Sequence, residues 1–221
     1  MDACPRLVDL SWPLRPGMAM FPDDPPLALA PLGAYGPDGF LSHLASLPLH
    51  SGTHVDAPGH VLPGAPMLSD LPPERFRGPG ALLDLRARPS LAVTAADLAP
   101  RLAGLAGAEF VLLSTGDEER WGGADYYTAG AHLTPEAAAL LAALPGLKGV
   151  GLDAGSADAA DLRDLPAHRA LLGAGCIIVE NLRGLAQLAG KRFRFWCLPV
   201  FGADGSPVRA VAEIHGPEAR P

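Results

Sequence analysis

The sequence predicts a single α/β domain with a mixed β-sheet and flanking helices. Three observations carry this expectation. In the second half, short apolar runs rich in β-branched residues alternate with helix signals, the pattern of strands joined by helices. The first half is loop-rich, punctuated by proline and more β-like. No linker and no internal repeat divides the 221 residues, a length at which one core is ordinary.

Residues 1–35 read as extended chain, with a turn at Phe21-Pro22-Asp23-Asp24-Pro25-Pro26. Weak alternation over residues 42–48 reads as a strand leading into a histidine-rich segment. Residues 80–85 form a short buried strand, and Thr94 caps a helix running to about residue 105. Residues 109–114 are a second buried strand, which enters the polar turn Thr115-Gly116-Asp117. Thr134-Pro135-Glu136 opens a helix toward Leu144, with Thr at the cap and Pro at the first helical position. Residues 149–153 are a strand, and residues 166–172 are a short helix closed by Gly173 and Gly175. Residues 176–180 are a β-branched strand, and residues 193–199 and 208–214 finish the sheet.

Composition narrows the function classes. The chain carries 26 glycines and 24 prolines, near the roughly 25–30% that marks low-complexity chains. Runs such as Ala81-Leu82-Leu83 and Ile177-Ile178-Val179 nevertheless require a folded core. A formal charge of −7 without a basic cluster argues against nucleic acid or an anionic membrane as partner. Cys4, Cys176 and Cys197 are odd in number and far apart, with no Cys-x-x-Cys, so neither a disulfide framework nor a thiolate zinc site is expected. No run of about 18 apolar residues suits a membrane helix. Asp2, Pro5, Asp9, Pro13 and Pro16 argue against a signal peptide, and the expected compartment is the cytoplasm.

The chemistry concentrates in His50-Ser51-Gly52-Thr53-His54-Val55-Asp56-Ala57-Pro58-Gly59-His60. Gly52, Pro58 and Gly59 oppose a helix here. In extended chain the side chains alternate, so the even-numbered His50, His54, Asp56 and His60 share a face. A flat strand would hold the Cα atoms of His50 and His54 roughly 13 Å apart, at about 3.3 Å per residue. Two imidazoles on one ion each need a nitrogen about 2.0–2.1 Å from it. The chain must therefore bend at Gly52-Thr53, and Gly52 permits the unusual dihedrals. Pro58 then stiffens the turn that delivers His60. The competing reading is a surface loop rich in histidine. Imidazole with carboxylate suits zinc, manganese or iron better than magnesium.

This pattern, His50-x-Gly52-Thr53-His54-x-Asp56-x-Pro58-x-His60, resembles the signature of the bacterial kynurenine formamidase/cyclase superfamily, which also includes isatin hydrolase. The resemblance spans nearly the whole chain. It includes Asp9-Leu10-Ser11, Phe21-Pro22-Asp23-Asp24-Pro25 and Asp153-Ala154-Gly155-Ser156-Ala157-Asp158 followed by Ala167-His168-Arg169. It closes with Glu180-Asn181-Leu182 and Gly205-Ser206-Pro207-Val208-Arg209-Ala210. The resemblance implies a swivelling β/β/α-type fold, homodimers or larger oligomers, and one or two zinc ions per subunit, with manganese as the alternative. It implies metal ligation by His50, His54 and Asp56, with Asp56 bridging to a second ion held also by His168 and Glu180. It implies His60 as catalytic acid/base and Phe21 as an aromatic wall for a small-molecule substrate. Two positions depart from the pattern. Asp23 stands where many relatives have Gly, and Gly59 where a larger residue precedes the last His.

Outside that resemblance, Glu180 ends an apolar run, where an unpaired buried carboxylate would be costly, so either a metal or an Arg is needed beside it. His168 alone would read as a surface or cap histidine. Asp153 and Asp84 read first as turn or cap residues, with orientation of a ligand as the alternative, and Trp12 as core or aromatic wall. His43, His132 and His215 read as structural or exposed, and Thr115-Gly116 as a loop near the site. The leading activity is hydrolysis of a C–N amide bond in a small aromatic substrate, N-formylkynurenine first. The alternatives are opening of a cyclic amide, imide or lactone, and a metal-binding protein without catalysis. No Gly-x-Ser-x-Gly elbow supports serine hydrolysis.

Overall fold

The computed structural model describes residues 5–215. Thirteen strands run in chain order as β1 (Arg6–Asp9), β2 (Ala28–Gly33), β3 (Ser42–Ser46), β4 (His54–Asp56) and β5 (Arg77–Asp84). Then come β6 (Ala92–Val93), β7 (Phe110–Ser114), β8 (His132–Leu133), β9 (Gly149–Leu152) and β10 (Ile177–Glu180). The last are β11 (Phe193–Trp196), β12 (Gly205–Pro207) and β13 (Val211–Ile214). Four helices interleave: α1 (Tyr35–Asp38), α2 (Ala95–Leu98), α3 (Pro135–Ala142) and α4 (Pro166–Gly173).

Nine strands form one mixed sheet in the order β1-β13-β11-β5-β7-β9-β10-β4-β12. Its centre, β5-β7-β9-β10, is parallel, and every pairing outside that centre is antiparallel. The inner parallel strands β7, β9 and β10 are buried along their whole length and apolar up to their carboxyl ends, because both faces are covered. Along β7, Val111 and Leu113 face a core shared with the helices, whereas Phe110 and Leu112 face a second core with Phe195, Leu185 and Leu188. Fully burying one such Leu is worth roughly 1.5–3 kcal/mol over leaving it exposed. The helix-side core is closed by Leu98, Leu141 and Leu171 from α2, α3 and α4.

The expected elements are present, with instructive differences. The helix expected from Thr94 is α-helical only over α2 and continues as a 3₁₀ segment, Ala99–Leu105. Pro100 lacks the N–H that the α pattern needs there. The strand expected to lead into the histidines pairs with β2 alone and forms a separate exposed ribbon. The strand expected over residues 208–214 is shortened to β13, Val211–Ile214, and β12 is an additional strand just before it. No strand was expected at β12, and two of its three residues are Gly205 and Pro207, which lack strand-like composition. Cys4 lies outside the described residues, and Cys176 and Cys197 are free buried thiols.

Helix α3 begins where the Thr134 hydroxyl accepts from the Ala137 N–H at 3.2 Å. Replacing Thr134 with Ala should lower unfolding stability by about 1 kcal/mol. A shift of the urea midpoint at unchanged m-value checks this.

Candidate metal centre and active site

The site lies at the carboxyl ends of the parallel strands, where open α/β sheets place their ligands. Glu180 is the last residue of β10, and the loop carrying Asp153 and Asp158 follows β9. Antiparallel pairing sets β4 against β10 with Glu180 opposite His54 and Ile178 opposite Asp56. These four side chains therefore share the helix-side face, while Val55 and Val179 point into the other core. Helix α4 turns Ala167, Leu171 and Leu172 toward the same core and brings His168 over the strands.

The bend expected before β4 is at Gly52, whose φ is +60°. A Cβ there would stand 2.8 Å from Leu14 and 3.0 Å from Met18, so only glycine suits the position. Asn181 locks the bend. Its side-chain amide donates to the Gly52 carbonyl at 2.9 Å, and its own carbonyl accepts from the Thr53 hydroxyl at 2.6 Å. The His50 and His54 rings come to 5.1 Å between centroids, nearly perpendicular. Pro58–His60 is a 3₁₀ turn starting on proline, and it carries His60 to 4.1 Å from the His50 ring. All the residues predicted for the metal core thus converge.

Asp56 sits at the centre. Its side chain is buried, and neither carboxylate oxygen receives a hydrogen bond. Oδ1 lies 2.8 Å from His50 Nδ1 and 3.4 Å from His54 Nε2, and Oδ2 lies 3.7 Å from His168 Nε2. Glu180 adds Oε1 at 3.3 Å from His168 Nε2 and Oε2 at 3.5 Å from His54 Nε2. Among the described residues three triplets emerge: His50–His54–Asp56 and Asp56–His168–Glu180, which are nearly or fully buried and share Asp56, and the more exposed His50–His60–Asp204.

The far nitrogen of each ring faces an acceptor. His54 Nδ1 meets the Gly52 carbonyl at 2.9 Å, His168 Nδ1 meets Asp158 Oδ2 at 2.7 Å, and His50 Nε2 meets Asp204 Oδ2 at 3.1 Å. A carbonyl or carboxylate can only accept, so these nitrogens carry the N–H. The nitrogens facing Asp56 then present lone pairs to carboxylate lone pairs. That arrangement is repulsive unless a proton or a cation lies between. The titration behaviour expresses the same demand. Burial opposes protonation of His50, yet Asp56 and Asp204 push its pKa up to about 9. Burial also opposes protonation of His168, but Asp158, Asp56 and Glu180 hold it well above the usual histidine value. Asp56 goes the other way: burial would raise its pKa, and the surrounding imidazoles hold it well below the carboxylate range. A divalent ion competes with those protons for the same lone pairs. Donor atoms about 2.0–2.2 Å from a shared tetrahedral ion stand roughly 3.3–3.6 Å apart, close to the spacings found here. The residues fit a metal.

His60 differs from His50 and His168. Burial and the neighbouring His50 and His168 lower its pKa, partly offset by Asp56 and Asp204. A ring that stays neutral beside carboxylates suits an acid/base. The cavity beside it holds about 250 Å³ and is walled by Phe21, Tyr127 and Leu165. Phe21 meets Tyr127 edge-on at 5.6 Å, so the predicted aromatic wall is a pair. Trp12 stacks on Trp121 at 4.9 Å, away from the cavity.

Sequence reading missed Tyr127 and Asp204 as site residues, and it left Asp158 and Asn181 without roles. Nothing local marks Tyr127 and Asp204, because each meets residues distant in the chain; Asp158 and Asn181 stand in blocks that carry the family resemblance, but their partners are set by packing. Asp153, left as a turn residue, is buried and accepts from the Thr115 N–H at 2.8 Å and the Gly116 N–H at 2.9 Å. Burial nevertheless raises its pKa to about 6. Asp84 pairs with Arg86 at the surface. The two departures from the signature have local reasons. Asp23 occupies φ +71°, a conformation Asp tolerates in place of Gly. At Gly59, a Cβ would meet Met67 Sδ at 2.6 Å.

Comparison with known proteins agrees with this geometry. The Cyclase family model, described as putative cyclase, matches residues 8–159. The chain belongs to the kynurenine formamidase/cyclase superfamily. Kynurenine formamidase of Salinibacter ruber is 34% identical to this cyclase-family chain over 216 residues, covering 93% of it and 96% of the relative. That of Sphingopyxis alaskensis is 32% identical, covering 93% and 97%. The structure of isatin hydrolase A from Labrenzia aggregata, bound to benzyl benzoate, superposes with a TM-score of 0.83 at 26% identity, covering 96% of this chain and 94% of that one.

Asp158 accepts from the Ala167 and His168 N–H groups at 2.8 and 3.0 Å as well as from the His168 ring. Replacing it with Ala should cost metal-free protein about 2 kcal/mol or more, because buried donors lose their acceptor. Chemical unfolding in excess chelator measures the loss.

Proposed function

We propose that this protein is a metal-dependent amidohydrolase that cleaves N-formylkynurenine, or a close aryl formamide, to formate and the arylamine. The observation that carries it is the buried Asp56 carboxylate, which has no hydrogen-bond partner apart from the surrounding imidazoles and is shared by two triplets of convergent donor atoms. Kynurenine formamidases at 34% and 32% identity support the substrate.

In this reading His50, His54 and Asp56 hold one ion, and Asp56, His168 and Glu180 the second. Zinc is the expected metal and manganese the alternative, since both accept imidazole and carboxylate. Bound there, such ions lower the pKa of a water and polarise a carbonyl. The Phe21–Tyr127 pair orients the aryl ring in the cavity and keeps water from its faces. His60 takes the proton of the attacking water as its oxygen adds to the formyl carbon. The C–N bond then breaks, and His60 returns the proton to the departing nitrogen, so the ring ends as it began. Assembly as a homodimer or larger homo-oligomer belongs to this reading. It is supported by the exposed ribbon, where Leu29, Leu32 and Leu44 are 45%, 67% and 57% exposed. A cytoplasmic setting fits the acidic chain and its two buried thiols.

N-formylkynurenine turnover by metal-stripped protein, titrated separately with zinc and manganese, tests the reading. Activity should return and saturate near two equivalents of one of them. Tight metal binding without turnover would remove the formamidase assignment. Ring opening of isatin under the same conditions would move it to the chemistry of isatin hydrolase, the structural relative.

Two substitutions separate the roles. His54→Ala should lose metal content and activity together. His60→Ala should keep its metal, measured by elemental analysis, and lose about 10²–10⁴ in kcat.

A further inference from the structure

Asp204 precedes β12 and stands outside the two triplets that share Asp56, forming with His50 and His60 the third, more exposed group of candidate ligands. Its carboxylate oxygen Oδ2 lies 3.1 Å from His50 Nε2 and 3.4 Å from His60 Nδ1. Both contacts go to the same atom. Among the described residues, its ion pairs are with these two rings.

The surroundings hold this carboxylate in place. The Asp204 carbonyl accepts from the Ala57 N–H at 2.8 Å. The next residue, Gly205, pairs with Asp56 across β12 and β4. Gly205 has to be glycine, because a Cβ there would stand 2.5 Å from the His50 ring. The fully buried Ser206 hydroxyl accepts from the N–H groups of Val200 and Phe201, both at 3.0 Å, and fixes the turn before Asp204.

We propose that Asp204 is a positioning residue that sets the tautomers of His50 and His60 together through one carboxylate oxygen. This rests on the reading of His60 as acid/base. Accepting from His50 Nε2–H leaves the lone pair on Nδ1, which faces Asp56 Oδ1 at 2.8 Å. Accepting from His60 Nδ1–H leaves the lone pair on Nε2, the ring atom on the opposite edge. A carboxylate that orients an imidazole ligand also raises its basicity, and its loss typically costs 10–100-fold in metal affinity or activity. Here one carboxylate serves a ligand and a base, so metal affinity and proton transfer depend on the same residue.

The experiment compares Asp204→Ala and Asp204→Asn with wild type in three readouts: zinc affinity by competition with a chelator, kcat and KM on N-formylkynurenine, and unfolding of the metal-free protein. Asp204→Ala should weaken zinc about 10-fold or more and lower kcat about 10–100-fold. KM should stay within about twofold, and metal-free stability should be unchanged. Asp204→Asn keeps an acceptor oxygen and should recover part of both losses. Zinc affinity and kcat both within twofold of wild type in Asp204→Ala would overturn the proposal. So would an equal loss of metal-free stability, which makes the role structural, or a drop of one whole equivalent in bound zinc, which makes Asp204 a ligand. Should wild-type protein fail to turn over the formamide, the proposed reaction falls, and zinc affinity with stoichiometry still decides the part played by Asp204.

Discussion

The structure is organised around a carboxylate that its own fold does not satisfy. Asp56 is buried in a strand flanked on both sides, and apart from the surrounding imidazoles neither of its oxygens has a hydrogen-bond partner among the described residues. An isolated buried carboxylate is costly enough that proteins pair it or place a cation beside it. Here the neighbours are three imidazoles and a second carboxylate, Glu180. Most of what is unusual in the surrounding chain follows from bringing those groups to one point. Gly52 bends the chain, Pro58 opens a short 3₁₀ turn, and Asn181 takes a left-handed conformation while locking the bend.

A second layer decides what the imidazoles can do. Gly52, Asp158 and Asp204 each offer an acceptor to the outward nitrogen of one ring, and each thereby leaves a lone pair facing inward. The acceptors come from three separate parts of the chain. Asp158 also caps the start of α4 and Asp204 tethers β12 to Ala57, so each anchors backbone as well as orienting a ring. A rigid arrangement of this kind leaves little reorganisation at the moment of reaction, the condition under which fixed dipoles are most effective. His60 stands apart: burial, with the neighbouring His50 and His168, pushes its pKa down, whereas at His50 and His168 the carboxylates overcome burial and raise it. Rings of one chemical type, within a few ångströms, thus differ in proton affinity through their surroundings alone, which is what the proposed division into ligands and an acid/base requires.

Much of this was legible in the sequence because it is local. The even spacing of His50, His54, Asp56 and His60 places them on one face of any extended chain, and Gly52 and Pro58 mark where that chain must turn. The parallel core strands announce themselves as uninterrupted apolar runs, and Thr94 and Thr134 mark helix starts that the structure retains. The limits of that reading are local too. Pro100 cuts the α-helix short, and a strand made of Gly205, Ser206 and Pro207 has no strand-like composition.

The sequence by itself determined the donor types, their shared face and the class of ion they can hold, since side-chain chemistry and backbone periodicity are properties of neighbouring residues. Tertiary structure alone decided that Glu180 stands opposite His54, because strand register depends on partners 126 residues apart in the chain. It alone chose Asp158 for His168, Asp204 for His50 and His60, and Tyr127 for Phe21. Those pairings arise when strands and loops remote in sequence are packed against the two faces of one sheet, and no local pattern encodes a contact whose geometry exists only after that packing.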